Sequence, residues 1–499
     1  MTRKAVSRPD DSAKGRAARA PAARAPAARA PAARALVANV RVANSRIPEA
    51  RVAKGRAPKT RATPARTVAR PRRRTSAGFA SEPVPMRGGV VLRAATPLGT
   101  PVVVRPMPGF AKAYAVLRVN FGSLDATFPD GTPMPLGVAH FLEHKMFATP
   151  DGDVFDLYAK RGASANAYTT YGLTAYLFGC TSRFDENLAT LLDTLGTMHA
   201  DPAGIEREKG IIGQEIAMYD DEPGWRSHAN LMAALYRDHA VRHEITGSKA
   251  TIAAIDRDLL LRVHAAYYHP RNLALFVAGD VDPAAVLAAA STRLVTSAPG
   301  APHLRAATAE PEAPAVPERR QALSVTRPMV TLGIKDAPVG TRGPALLRHE
   351  TLTELALDVL FSDGGRIEAP LYREGVVDDS FGAGYHADLD FAFAAIGGEV
   401  DEEAPFRARL ERELATTATA PVTEAELTRV QRRSVGGYLR SFDAPERAAG
   451  LLLGLDTKAA RLPDALAAVL DATPADVTSR LRELLERPRA WSVIEPRKE

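Results

Sequence analysis

Two histidines and a glutamate stand together in His140-Phe141-Leu142-Glu143-His144. On a helix, positions i and i+4 stack on one face, and i+3 lies beside them. Both imidazoles and the carboxylate then converge. Imidazole nitrogens one turn apart can hold zinc at about 2.0–2.1 Å. A carboxylate between them can take a proton from an attacking water. Leu136 and Phe147 extend the same face, so the polar trio sits on an apolar stripe. Burying an unpartnered charge there is costly, and the trio therefore requires a partner. The plainer reading is a pair of core histidines satisfied by backbone carbonyls. The carboxylate on the same stripe argues against it.

A catalytic zinc usually takes three protein ligands and keeps one position open. Cys180 is the single cysteine, so further donors must be His, Asp or Glu. The segment 204–219 has helical spacing. Ile205, Glu208, Ile212, Glu215 and Tyr219 fall on one of its faces. One of the two carboxylates can complete a metal site, and the other can hydrogen-bond a ligating histidine. Glu206 and Asp220 point elsewhere. The alternative is a partly exposed helix carrying acids by chance.

The elements around these residues mix strands and helices. Residues 102–105 and 113–119 read as strands, 137–148 and 153–161 as helices, and 166–180 as strand structure. Helices are expected over 184–198 and 204–219, a buried strand over 273–279 and a helix over 282–294. Residues 297–320 are rich in Pro, Ala and charge and read as a linker. Beyond it, a strand near 330–334, a helix over 351–361 and the segment 392–397 are followed by helices to the C-terminus. Both bodies have similar make-up, as an old duplication would leave them, although internal sequence identity does not show one.

A chain of 499 residues exceeds one ordinary core. Its 45% apolar and 25% charged residues are those of a soluble globular protein. No stretch approaches the roughly 18 apolar residues of a membrane helix. No secretory signal is read at the N-terminus. One cysteine fits a reducing compartment, and a cytoplasmic location is expected. The net charge of +7 is divided unevenly. Residues 1–75 hold 21 Lys/Arg against Asp10, Asp11 and Glu49, while the remainder holds 44 basic and 55 acidic residues. The tail repeats Ala-Arg-Ala-Pro-Ala and has little to bury, so it is expected to be disordered. The acidic body and the absence of a recognition motif argue against nucleic acid as a partner.

The residues 137–147 (Gly-Val-Ala-His-Phe-Leu-Glu-His-Lys-Met-Phe), 162–169 (Gly-Ala-Ser-Ala-Asn-Ala-Tyr-Thr) and 208–215 (Glu-Lys-Gly-Ile-Ile-Gly-Gln-Glu) form a longer pattern. Thr174-Ala-Tyr176, Gly247, Tyr268-His-Pro270 and Gly279-Asp-Val281 extend it. His-x-x-Glu-His is an inverted zinc motif. With this context the chain resembles the pitrilysin/insulinase family, in particular its processing-peptidase-like members. The resemblance covers about 95–290 in sequence and the remainder at the level of fold. It implies one zinc ion held by His140, His144 and Glu215, with Glu143 as general base and Glu208 supporting a ligand. It implies that Asn166, Ala167 and Tyr168 lie on an edge strand that pairs with an extended peptide. Arg373 matches a substrate-contacting arginine of the family's second half. The tyrosine expected seven residues on is replaced by Ser380.

The expected fold is α+β: two related domains, each an antiparallel β-sheet packed with α-helices. The expected boundaries are a tail at 1–80, a zinc-bearing domain at 81–296, a linker at 297–320 and a second domain without metal at 321–499. The expected function is a zinc-dependent endopeptidase acting on extended peptides. The expected partner is a homologous subunit lacking the zinc motif, with a homodimer as the other arrangement and Phe381 or Tyr385 supplying the missing ring. A noncatalytic subunit of a peptidase-like heterodimer is the rival reading, and the intact motif speaks against it.

Overall fold

The computed structural model describes residues 78–149, 152–295, 300–305 and 307–497. The tail expected at 1–80 lies, but for its last three residues, outside the described residues.

The first sheet contains β1 (Ala80–Pro83), β2 (Val90–Ala95), β3 (Pro101–Pro106), β4 (Ala113–Val119), β7 (Ser164–Thr169), β8 (Thr174–Cys180) and β9 (Leu273–Gly279). The two-residue strands β5 (Ala148–Thr149) and β6 (Gly152–Asp153) pair apart from it. The seven strands lie in the order β1-β2-β3-β9-β4-β8-β7, which makes β7 an edge. The second sheet contains β10 (Glu318–Leu323), β11 (Met329–Asp336), β12 (Gly382–Ala387), β13 (Ala392–Glu399) and β14 (Arg489–Pro496), in the order β10-β14-β11-β13-β12.

The two sheets share one topology. Strands β3, β4, β7, β8 and β9 occupy the same relative places as β10, β11, β12, β13 and β14. In each sheet the first and last of these five are parallel, and the other pairs are antiparallel. The duplication that sequence identity does not show is therefore plain in strand order. The parallel pair follows from that order, since the chain must cross over to bring its last strand beside its first.

The helices repeat as well. Between β4 and β7 come α1 (Val138–Lys145) and α2 (Val154–Lys160). Between β8 and β9 come α3 (Phe184–Gly196), α4 (Pro202–Asp220), α5 (Pro223–Leu235), α6 (Lys249–Ala253) and α7 (Arg257–Tyr267), and α8 (Pro283–Arg293) follows β9. In the second body, α9 (Pro344–Phe361) and α10 (Glu368–Arg373) lie between β11 and β12. Then α11 (Glu403–Ala415), α12 (Glu424–Arg440), α13 (Pro445–Thr457), α14 (Leu462–Leu470) and α15 (Pro474–Leu485) lie between β13 and β14.

One equivalent helix from each body is exchanged. Helix α5 packs on β10, β11 and β14 of the second sheet, and α13 packs on β3, β4 and β9 of the first. Strand β4 is consequently covered on both faces, and all seven of its residues are buried. Ala115, Leu117 and Val119 face the core formed with α1, while Tyr114 and Val116 meet Leu452 and Leu453 of α13. A strand buried on both faces reads as a continuous apolar run.

The segment between the bodies holds no helix or strand before β10 among its described residues, yet it is tied to both. His303 Nε2 lies 2.7 Å from Asp125 Oδ1. Glu310 accepts from the backbone N–H groups of Arg237, Asp238 and His239 and from Lys335 Nζ. The chain closes on β14 rather than on a helix. Trp491 and Val493 enter the second core, while Ala490 faces α5, so a central strand stands where helices were expected.

Candidate metal centre and active site

Helix α1 is short and is held by backbone. Gly137, at its N-terminus, has φ +89, and a Cβ there would meet the Thr246 carbonyl oxygen at 2.4 Å. Gly247, at φ +71, would in turn place a Cβ 2.5 Å from the Leu136 carbonyl oxygen. Only glycine permits both the left-handed conformation and this mutual approach. Val138, Phe141, Leu142 and Met146 anchor the helix in the first core. Lys145 is buried at 2% exposure and reaches Asp201, 3.8 Å away, whose carboxylate caps α4.

Helices α1 and α4 pack together. His140 Nε2 lies 3.6 Å from Glu215 Oε2, and His144 Nε2 lies 3.5 Å from the same oxygen. The three donor atoms lie within 4.8 Å of one another, the one group of three or more such residues found among the described residues. Two donors about 2.0–2.1 Å from a shared ion at the tetrahedral angle stand roughly 3.4 Å apart. The donor set thus fits a zinc ion in both chemistry and spacing. His144 Nδ1 lies 2.8 Å from Glu208 Oε1, two turns before Glu215 on α4. Glu206 is 70% exposed and pairs with Lys209.

Glu143 is buried beside this cluster, and the Thr169 hydroxyl donates to its Oε2 at 2.6 Å. Burial pushes the Glu143 carboxyl up to about 7, with Glu215 adding to the rise and Thr169 and His144 opposing it. Burial, with His144 beside it, takes His140 down to about 3. Burial also opposes charge on His144, but the Glu208 hydrogen bond and the surrounding carboxylates raise it overall.

Asn166, Ala167 and Tyr168 lie in β7, at the edge of the sheet next to α1. Asn166 Oδ1 accepts from the Ala167 N–H. The Tyr168 ring packs against the core under α13, so this strand offers backbone more than side chains. Arg373 is not part of the donor cluster. It is exposed at the end of α10, and its Nε donates to the Ala369 carbonyl. Tyr385 is buried and donates to Asp336, and Phe381 packs against Phe361 and Phe406. Neither presents a free ring.

The counterpart of this centre in the second body carries different chemistry. Helices α9 and α12 pack as α1 and α4 do, but Asp358 of α9 meets Arg433 of α12 at 3.0 Å. Arginine is always protonated and offers no lone pair, so this helix pair holds an ion pair in place of metal donors.

A family model described as Insulinase (Peptidase family M16) matches residues 102–249, and one described as Peptidase M16 inactive domain matches residues 254–434. The chain is 37% identical over 357 residues to the "Uncharacterized zinc protease YmfH" of Bacillus subtilis, covering 70% of this chain and 83% of that protein. The chain belongs to the M16 peptidase family. A putative M16-like peptidase from Alicyclobacillus acidocaldarius shares the fold, with a TM-score of 0.77, 30% identity, and coverage of 84% of this chain and 99% of that one. Pitrilysin matches with a TM-score of 0.64 and 16% identity over 85% of this chain and 47% of its own. It shows the fold alone. The Arg433–Asp358 pair sits in the part of this M16 chain that the inactive-domain description covers.

The sequence assigned no role to Lys145 or Thr169 and placed Tyr219 only on the stripe of α4 that carries Glu208 and Glu215. Lys145 ties α1 to the cap of α4. Tyr219 stands beside Glu215 and stacks on Trp225 with ring centroids 4.3 Å apart. Thr169 holds Glu143. For Thr169 a signal existed, since strand parity puts it on the same face as Ala165 and Ala167.

Proposed function

We propose that this chain is a zinc-dependent endopeptidase that hydrolyses extended peptides. The observation that carries the reading is the convergence of two imidazole nitrogens and one carboxylate oxygen at tetrahedral spacing, beside a second, buried carboxylate. His140, His144 and Glu215 hold one zinc ion, and Glu208 fixes His144 from its far nitrogen. When bound, zinc supplies a Lewis acid that makes water a nucleophile near neutral pH and polarises the scissile carbonyl. Glu143 takes the proton from the attacking water and returns it to the leaving amine. The peptide lies along the open edge of β7 and pairs with the backbone of Asn166, Ala167 and Tyr168. Arg373 contacts substrate only when another part of the assembly brings the peptide to α10.

The active assembly pairs this chain with a homologous subunit whose zinc motif is lost. The Arg373/Ser380 pair supports this, as does the burial of the rings that would replace the absent tyrosine. The chain divides into a zinc-bearing part at 81–296, a connector at 297–320 and a metal-free part at 321–499. The single cysteine supports a cytoplasmic location.

The test is purification with and without a homologous partner, followed by elemental analysis and cleavage of an unstructured fluorogenic peptide. One zinc per chain and chelator-sensitive cleavage are expected. Cleavage that survives complete removal of metal would overturn the reading. Full activity from the chain alone, as monomer or homodimer, would overturn the heterodimer.

A further inference from the structure

Thr169 is the last residue of β7, the edge strand beside α1. Side chains alternate along a strand. Ala165 and Ala167 pack into the core that contains α1, and Tyr168 packs on the opposite face. Thr169 therefore turns toward α1, where its hydroxyl donates to Glu143 Oε2 at 2.6 Å. The carboxylate is the nearer acceptor for that proton. The neighbouring hydroxyl, Thr174, stands 3.4 Å away and gives its own proton to the Phe121 carbonyl at 2.8 Å. Thr174 is fully buried and fixed by that bond. Among the described residues, no hydrogen bond is made to the other carboxylate oxygen, Glu143 Oε1.

We propose that Thr169 is a positioning residue: it clamps Oε2 of Glu143 so that Oε1 is presented to the reacting water. The inference rests on the peptidase reading and deepens it. The hydroxyl belongs to the strand on which the peptide would lie. One hydrogen bond thus sets the base in register with the substrate strand, and with the bond to be cut. A carboxylate free to rotate about its last torsion, which is broad and two-fold, would spend part of its time misdirected. Misplacement of a catalytic group by about 1 Å can cost roughly 10²-fold in rate. In this arrangement the Thr169 hydroxyl acts through Glu143.

The test uses the full chain with whatever partner activity requires, and compares Thr169→Val, Thr169→Ala and Thr169→Ser with wild type. Valine keeps the shape and removes the donor. Alanine serves if valine disturbs the strand. Thr169→Val is expected to keep zinc content and melting temperature, to leave KM within about twofold and to lower kcat by about 10–100-fold. Thr169→Ser, which restores the hydroxyl, is expected to recover kcat to within about threefold. A crystal structure of the Thr169→Val protein is expected to show the Glu143 carboxylate rotated or in two positions. A wild-type kcat in both Thr169→Val and Thr169→Ala, or an unmoved Glu143 carboxylate, overturns the proposal. So does a serine variant as slow as the valine one. Glu143→Gln measured alongside separates the two claims. If that variant still turns over normally, the general-base assignment within the peptidase reading fails, while the crystal structure still decides whether Thr169 sets the Glu143 carboxylate.

Discussion

His144 Nδ1 lies 2.8 Å from Glu208 Oε1, which leaves Nε2 of the same ring facing Glu215. The two residues are 64 positions apart and sit on different helices. The carboxylate accepts a hydrogen bond from Nδ1–H and so selects the tautomer whose Nε2 carries a lone pair. Glu208→Ala should therefore weaken zinc binding by about 10–100-fold without removing a ligand. Competition against a chelator of known affinity measures this, and an unchanged zinc affinity would exclude the role.

Glu143→Gln should keep zinc and lose cleavage. The amide fills the space of the carboxylate and cannot accept a proton. Loss of a general base costs typically about 10²–10⁴-fold. Zinc content and single-turnover cleavage, read on one preparation, check it. A metal-loaded variant with near-normal turnover would assign the base elsewhere.

Glu215→Gln should lower zinc occupancy, whereas Glu206→Gln should not. Glu215 Oε2 stands 3.5 and 3.6 Å from the two imidazole nitrogens, while Glu206 is 70% exposed on another face. Elemental analysis after gel filtration decides the matter. Equal zinc in wild type and the Glu215 variant would remove Glu215 from the donor set.

The exchanged helices should make the two bodies unfold together. Leu452 of α13 is fully buried against the first sheet, though in the chain it lies between β13 and β14 of the second. Leu452→Ala should cost about 2–5 kcal/mol. On the other side, a Cβ at Gly333 of β11 would meet Leu231 Cδ1 of α5 at 2.7 Å. Gly333→Ala should cost about 1–3 kcal/mol through overpacking. Urea denaturation read by two probes, Trp225 on α5 and Trp491 on β14, should give one shared transition for each variant. Separate transitions would show that the bodies are energetically independent.

Stability should fall as pH drops from about 6.5 to about 4, in part through His228. This residue of α5 packs near Tyr171, whose hydroxyl is 2.8 Å from His228 Nε2, and near His386 and Phe393. Burial, with His386 adding to it, takes His228 down to about 4 from an ordinary 6.5. Between those values the unfolded chain binds the proton and the folded one does not. Stability therefore rises with pH through the window and is lost as pH falls, by at most roughly 3 kcal/mol for this group. His228→Gln should flatten the dependence of the urea midpoint on pH between 6.5 and 4. An unaltered slope would show that His228 is not the source.

What the sequence determined by itself was local. Helix geometry makes His140, Glu143 and His144 neighbours once 138–145 is helical, and the 3-4-3-4 spacing puts Glu208 and Glu215 on one face of α4. Strands such as Ala113–Val119 announce themselves because burial on both faces leaves an apolar run, broken here by Arg118, which pairs with Asp456 of α13 at 2.9 Å. Tertiary structure alone decided what depends on which surfaces meet. Glu208 meets His144 only because α4 packs across α1, an arrangement pinned by the approach of Gly137 to Thr246 and of Lys145 to Asp201. Thr169 reaches Glu143 only because β7 takes the sheet edge beside α1. The exchange of α5 and α13 leaves no local mark, since an apolar helix face has the same pattern whichever sheet it covers. The duplication, too, lies in strand order rather than in residues. Backbone hydrogen bonding preserves topology while side chains are replaced, as His140, His144 and Glu215 in one body and Asp358 and Arg433 in the other illustrate.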